Sequence, residues 1–200
     1  MKIIIPATVE PITLATARRQ CRVDAEGSPA AHEDDELIAL FLSAAREWCE
    51  SYLGRIVAPT LVETAFNAFA DTMRLESGPV LAVDSILYTD VAGIEMLVNP
   101  LAYSFDNTDP IAVVRRVADA TWPIPKAVPN VVRIRYSVGY ATAMASPQDA
   151  PLPASIKIAI LLILGHLYAN RQNSIEKTLS TIPMGATAFL SPLKLRRGFA

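Results

Sequence analysis

Histidine and cysteine, two residues that often carry reaction chemistry, are scarce in this chain. Its 200 positions hold two histidines and two cysteines. His32 and His166 lie in contexts unlike a metal site, and Cys21 and Cys49 match no metal-ligand spacing. Both cysteines fall on helical stretches and read as buried thiols. A disulfide would need an oxidising compartment. No signal peptide is visible, because the opening Met-Lys-Ile-Ile-Ile-Pro is a short apolar run without a small-residue cleavage site. A glycine-rich phosphate loop and a Gly-x-Ser-x-Gly elbow are both missing. No cofactor is expected, and the pattern points away from catalysis.

Long apolar runs and a charge excess are also missing. Residues 156–168 fall short of the roughly 20 needed to span a bilayer and include Lys157 and His166, so they read as a core helix with no membrane partner. A formal charge of -2 argues against a general nucleic-acid binder. The charge is unevenly spread, however. Residues 151–200 carry six basic side chains and one acidic, so the C-terminal quarter is the part that would seek an acidic partner.

What is present is a strong helix signal over residues 34–55. Acidic residues fill its first turn, opposing the positive end of the helix dipole, and Gly54 follows its last turn. Leu37, Phe41, Ala44, Ala45, Trp48 and Tyr52 recur at three- and four-residue spacing, and Ile38, Leu42, Cys49 and Leu53 widen the stripe. Glu36, Ser43, Arg46, Glu47, Glu50 and Ser51 are assigned to water. A face this broad needs apolar partners from the rest of the chain or from another subunit. Before it, residues 6–11 read as an extended lead-in, Thr13 as the cap of a short helix through Cys21, and residues 25–33 as a loop.

From residue 60 to 140 the period changes to two, in segments rich in Val, Ile, Thr and Tyr and broken by Gly and Pro. Strands are predicted at 60–69, 80–89, 94–98, 103–105, 111–116 and 131–138. In the last, Val132, Ile134, Tyr136 and Val138 alternate with Arg133, Arg135 and Ser137, which gives one buried face and one wet face. Such closely spaced strands should pair antiparallel in a small sheet or sandwich. A proline-bearing linker at 141–153 leads to a helix at 154–171 that is apolar nearly all round and therefore central. A polar stretch at 172–181, a short apolar turn at 186–190 and the basic tail Lys194, Leu195, Arg196, Arg197 follow. The expected fold is α+β. Residues 1–59 and 141–200 form a small helical core of three main helices plus a short C-terminal helix, and 60–140 form an inserted antiparallel β region.

Few side chains suggest binding. His166, Tyr168, Asn170 and Arg171 form a polar cluster suited to a helix C-terminus. The acidic run 33–36 lacks the alternating ligands and central glycine of a calcium loop, so no metal is expected. Arg115, Arg116, Arg133 and Arg135 read as a solvated strand face, or as phosphate contacts.

Several stretches, taken in order, resemble the head-tail connector (adaptor, head-completion) proteins of long-tailed double-stranded DNA phages and prophages. Thr13-Leu14-Ala15, Ala17 and Arg22-Val23-Asp24 resemble the family's first helix and its exit. Asp35, Leu37-Ile38, Leu42, Ala44-Ala45-Arg46, Glu50, Tyr52 and Gly54-Arg55 resemble its second. Trp122-Pro123, Pro129-Asn130, Val132, Ile134, Tyr136 and Gly139-Tyr140 resemble the end of its β insertion. Pro153, Ile156-Lys157, Ala159 to Leu162, His166, Tyr168 and Asn170-Arg171 resemble its long third helix, and Pro183, Gly185, Leu190 and Pro192 its C-terminal segment.

The resemblance implies a structural protein without catalysis, forming a ring of about twelve copies by cyclic symmetry. Its implied partners are further copies of itself, a portal protein, and the next head-completion or tail protein. DNA would pass through the channel without sequence recognition. The implied location is the virion's head-tail junction, with the host cytoplasm before assembly. On this reading Asp35, Leu37, Phe41, Arg46 and Trp48 are candidates for a subunit-interface helix, whose edge should be an exposed apolar strip in one isolated copy. Lys194, Leu195, Arg196 and Arg197 are candidates for docking on the portal or a neighbour. Two other readings stay open: a small enzyme using His166, Tyr168 and Arg171, and a single-stranded nucleic-acid binder stacking bases on Trp122, Tyr136 and Tyr140.

Overall fold

The computed structural model describes residues 1–23, 31–108, 111–140, 151–171 and 184–195. Outside the described residues lie most of the predicted loop at 25–33, the linker at 141–150, the polar stretch at 172–181, and Asp24, Pro183, Arg196 and Arg197. The chain divides into two units, each assembled from segments distant in sequence. One is Met1–Val9 with Arg55–Pro151, and the other is Glu10–Gly54 with Leu152–Ala200.

The first unit is all β. Its strands are β1 (Lys2–Ile5), β2 (Thr60–Phe66), β3 (Thr72–Leu75), β4 (Val80–Thr89), β5 (Glu95–Leu97), β6 (Tyr103–Asp106), β7 (Ala112–Arg116) and β8 (Val132–Val138). A five-stranded sheet runs β1-β2-β8-β4-β5 and a three-stranded sheet β3-β7-β6, with antiparallel neighbours throughout. The strand with the clearest alternation, β8, lies at the centre of the larger sheet. It pairs β2 from Thr60↔Val138 to Phe66↔Val132, and β4 from Val80↔Val138 to Tyr88↔Val132. Its residues Val132, Ile134, Tyr136 and Val138 are buried while the intervening ones are half-exposed. Met73, Leu75, Ala112 and Val114 of the smaller sheet join Val62, Ile86, Ile134 and Tyr136 of the larger in one core.

Two strands escape the sequence pattern. The first, β1, is a run of Lys and three Ile without alternation, and it is a strand because β2 offers it an edge. The second, β3, has only four residues, although Met73 and Leu75 do alternate with Thr72 and Arg74. The predicted strand 60–69 stops at Phe66. There Asn67 leaves the ladder, and its side-chain oxygen accepts from the Asn130 N–H at 2.9 Å.

The second unit is helical: α1 (Leu14–Cys21), α2 (Asp35–Leu53), α3 (Ala154–Ala169) and α4 (Met184–Leu190), with a 3-10 turn at Ser191–Leu193. Thr13 caps α1 by accepting from the Thr16 N–H at 3.3 Å, and Gly54 ends α2 at φ +69°. The predicted 154–171 helix ends two residues early, with Asn170 as its cap. The apolar α3 packs against α1, α2 and α4, which is what an all-round hydrophobic helix requires. Ile156, Ala159, Ile160, Ile163 and Leu164 are its buried residues.

The buried stripe of α2 is displaced from the expected one. Ile38, Leu42, Ala45, Cys49 and Leu53 form the dry line, whereas Leu37, Phe41, Trp48 and Tyr52 are half-buried and Ala44 is exposed. Both lines fit the helical period, so the sequence alone did not rank them. Arg46, assigned to water, is only 9% exposed. Its Nε donates to Glu10 Oε2 at 2.9 Å and its NH1 to Glu50 Oε2 at 2.8 Å, and these bonds make burial of the charge tolerable.

Gly139, after β8, sits at φ +116°, and a Cβ there would lie 2.6 Å from the Ala58 carbonyl oxygen. Gly139→Ala therefore combines backbone strain with a clash against main chain, and should destabilise the β unit by roughly 2–3 kcal/mol. Urea unfolding of the full chain, followed by far-UV circular dichroism, measures this; an unchanged midpoint would contradict the account.

Candidate functional site

The start of α2 gathers the polar side chains of the helical unit. Asp34 occupies the N-cap position but makes no capping bond with its side chain. Its Oδ2 instead accepts from the Tyr168 hydroxyl at 2.5 Å and from Arg171 NH1 at 2.9 Å, both just beyond or within the last turn of α3. The Arg171 guanidinium also lies over the Tyr168 ring, 4.9 Å from its centroid. Asp35 binds Arg18 of α1 through both carboxylate oxygens, Nε to Oδ1 at 2.6 Å and NH2 to Oδ2, and also accepts from the His32 N–H at 2.9 Å. Two adjacent carboxylates thus tie α1 and α3 to the start of α2.

The charges set the titration of these groups. The hydrogen bond from Tyr168, then that from Arg171, holds the Asp34 carboxyl below its ordinary 3.8. The bond from Arg18 does the same for Asp35. The bond to Asp34 in turn pushes the Tyr168 phenol up. For Arg46, burial pulls downward, yet the Glu10 hydrogen bond and the Glu50 charge outweigh it and hold the pKa above the ordinary value.

The predicted polar cluster is therefore split. Tyr168 and Arg171 converge on Asp34. Asn170 turns back to His166, its Nδ2 donating to the His166 carbonyl oxygen at 2.7 Å and lying 3.3 Å from His166 Nδ1. These bonds close the end of α3. Cys21 and Cys49 are free thiols. Burial pushes Cys49 up to about 12, and burial together with the Asp34 charge raises Cys21.

Among the candidate interface residues, Asp35 and Arg46 are occupied by pairs within their own chain. Leu37, Phe41 and Trp48 are half-buried, and next to them Leu40 is 65% exposed. Leu40 was not singled out from the sequence, because it lies off the dominant stripe. Trp48 stacks on Tyr52 with centroids 5.4 Å apart, and Lys194 Nζ lies over the other partner of that stack, 4.9 Å from the Tyr52 centroid. The Leu195 N–H donates to the Leu53 carbonyl at 3.1 Å. Of the docking candidates, Lys194 and Leu195 are thus seated on the C-terminal end of α2.

In the β unit the strand-face arginines are largely spoken for. Arg133 pairs with Glu95, Arg135 with Glu63 at 2.8 Å, and Arg116 NH1 donates to the Ala120 carbonyl at 2.5 Å. The proposed base-stacking aromatics are mostly interior. Tyr136 is fully buried, its hydroxyl donating to the Glu76 carbonyl at 2.9 Å and meeting Thr64 Oγ1 at 2.8 Å. Tyr140 is buried as well, and Trp122 stacks on Phe69 at 4.7 Å with its Nε1 donating to the Ala70 carbonyl. Core packing claimed these rings, so Tyr136 and Tyr140 present no face to a base. Among the described residues there is no group of three or more His, Cys, Asp or Glu able to hold a metal, and no helix long and apolar enough to cross a membrane.

No protein-family model and no curated protein sequence matches the chain. Solved structures do. A chain from the neck of an empty gene transfer agent (GTA) particle, computed with C6 symmetry, superposes with a TM-score of 0.74 at 18% identity, covering 100% of this chain and 98% of that one. A chain from the virion of a native GTA particle gives 0.70 at 19% identity, over 98% and 96%. One from the neck of a native particle computed with C12 symmetry gives 0.68 at 18%, over 100% and 98%. The α+β fold is thus shared end to end with chains of those particles.

The two carboxylates generate a pH dependence of definite sign. Their pKa values are depressed by folding, so their stabilisation is complete above the ordinary aspartate value and is lost as pH falls through the folded values. The thermal midpoint should drop on acidification from about pH 5 to about pH 3, and Asp34→Asn and Asp35→Asn should each reduce that drop while lowering the midpoint at neutral pH. A calorimetric pH series reads this; equal slopes in wild type and variants would refute it. Native Cys49 should resist thiol reagents at neutral pH and react once the protein unfolds, which a timed alkylation with mass detection shows.

Proposed function

We propose that the chain is a structural component of the neck of a phage-like particle, forming a ring between portal and tail. The observation that supports this most is the end-to-end likeness of fold to chains taken from particle necks and a virion. Two of those reconstructions carry cyclic symmetry, C6 and C12. In a cyclic ring every copy offers its neighbours two different faces. The half-buried edge of α2, with Leu37, Phe41 and Trp48 beside exposed Leu40, supplies one such face. Asp35 and Arg46 serve it indirectly, by fixing the helix through Arg18, Glu10 and Glu50.

The basic segment from Lys194 through Arg197 docks on the portal or on an adjacent copy, starting from its seat at Tyr52 and Leu53. The next head-completion or tail protein binds the opposite side of the ring, and DNA passes through the channel without sequence recognition. The chain acts in the virion at the head-tail junction, after synthesis in the host cytoplasm. Its work is assembly, with no reaction step.

Native mass measurement and negative-stain imaging of the purified chain, with and without its portal, should reveal rings; a monomer under both conditions would sink the proposal. Leu40→Asp should leave folding within about 0.5 kcal/mol of wild type, because the side chain is exposed, yet weaken ring formation. Deleting residues 196–200 should preserve the thermal midpoint and block joining of tails to filled heads. Normal virion yield from the truncated chain would disprove the docking role.

A further inference from the structure

The five-stranded sheet ends in two open edges, β1 and β5, and neither pairs with another strand on its outer side among the described residues. Sheets of monomeric proteins blunt such edges with charges or prolines, because unpaired N–H and C=O groups template association. These two edges carry a single charge each, and their other side chains are apolar. Ile3 is 53% exposed and Ile5 similarly so on β1. On β5, Leu97 is 60% exposed, and Ile94 and Leu101 beside it are exposed too, Leu101 at 84%.

The edges also match one another. Each is short, with four residues in β1 and three in β5. Each carries one charged side chain, Lys2 on β1 and Glu95 on β5, of opposite sign. Five strands in strict antiparallel alternation leave β1 and β5 running in the same sense. A neighbouring copy reached by a small rotation therefore brings its β1 alongside β5 in parallel, with Lys2 and Glu95, each the first residue of its strand, at the same end.

We propose that β5 of one copy receives β1 of the next, so that the five-stranded sheets join edge to edge around the assembly. This rests on the ring reading above and names a contact within it. The occupant is a second copy of this chain because the two edges are complementary and different, as a head-to-tail contact requires. Pairing β1 with β1, or β5 with β5, would place like charges together and close a dimer. Edge pairing satisfies the open backbone groups and covers Ile3, Ile5 and Leu97 at once.

The test places the photoreactive amino acid p-benzoylphenylalanine at position 3 of the full chain. Isotopically labelled and unlabelled copies are mixed, illuminated and digested, and the cross-linked peptides are identified by mass spectrometry, with negative-stain imaging of the same sample. The expected result is rings together with intermolecular links from position 3 to residues 94–101. Rings with links only to helices, or to another β1, would overturn the edge pairing and leave the ring reading standing. Links to residues 94–101 without rings would uphold the edge pairing and remove the ring. Neither rings nor intermolecular links would remove both. Leu97→Lys adds an independent arm: the far-UV circular dichroism should stay unchanged while multimers are lost, and undiminished multimers would count against the proposal.

Discussion

The helical unit depends on one long-range contact, between α2 and α3. About a hundred residues separate these helices in sequence, so bringing them together carries a loop-closure cost that the interface itself must offset. The offset is mostly apolar: Ile38, Leu42, Ala45, Cys49 and Leu53 on α2 and Ile156, Ala159, Ile160, Ile163 and Leu164 on α3 are all buried. Polar bonds fix how the helices sit. Asp34 takes Tyr168 and Arg171 from the end of α3, and Asp35 takes Arg18 from α1. Apolar burial is indifferent to small slides between helices, whereas directional, charge-assisted bonds are not.

A different constraint organises the β unit. A central strand buried on one face needs partners on both edges, and β8 finds them in β2 and β4, one from before and one from after β3 in the chain. The smaller sheet then covers the buried face, contributing Met73, Leu75 and Val114 to the same core. Charged side chains on the wet face pair across strands, Arg135 with Glu63 and Arg133 with Glu95. The outer edges are where the unit remains incomplete. Ile3, Ile5 and Leu97 are exposed there.

Much of the fold was legible because period and punctuation agreed. The α2 boundaries followed from acidic residues at one end and Gly54 at the other, and β4 and β8 from alternation bounded by turns. The site was less legible. Which of two helical stripes on α2 is buried depends on where α3 lies, and both stripes have the same spacing. Arg46 looked like a solvated cation because its partner Glu10 precedes another helix. Tyr136 and Tyr140 looked available for stacking because an aromatic on a strand reads alike whether its face meets core or water.

By itself the sequence determined most of the helices and strands, that the fold class is α+β, and that histidine and cysteine are scarce. Those are local properties, set by dihedral preference, capping and hydrophobic period. Tertiary structure alone decided that Asp34 serves Tyr168 and Arg171 in place of its own helix end, that the N-terminal isoleucines form a strand, and that β1 and β5 lie at opposite edges of one sheet. Each of these is a meeting of residues far apart in the chain. Such meetings are fixed by the balance of burial against closure over the whole fold, and no window of sequence contains them.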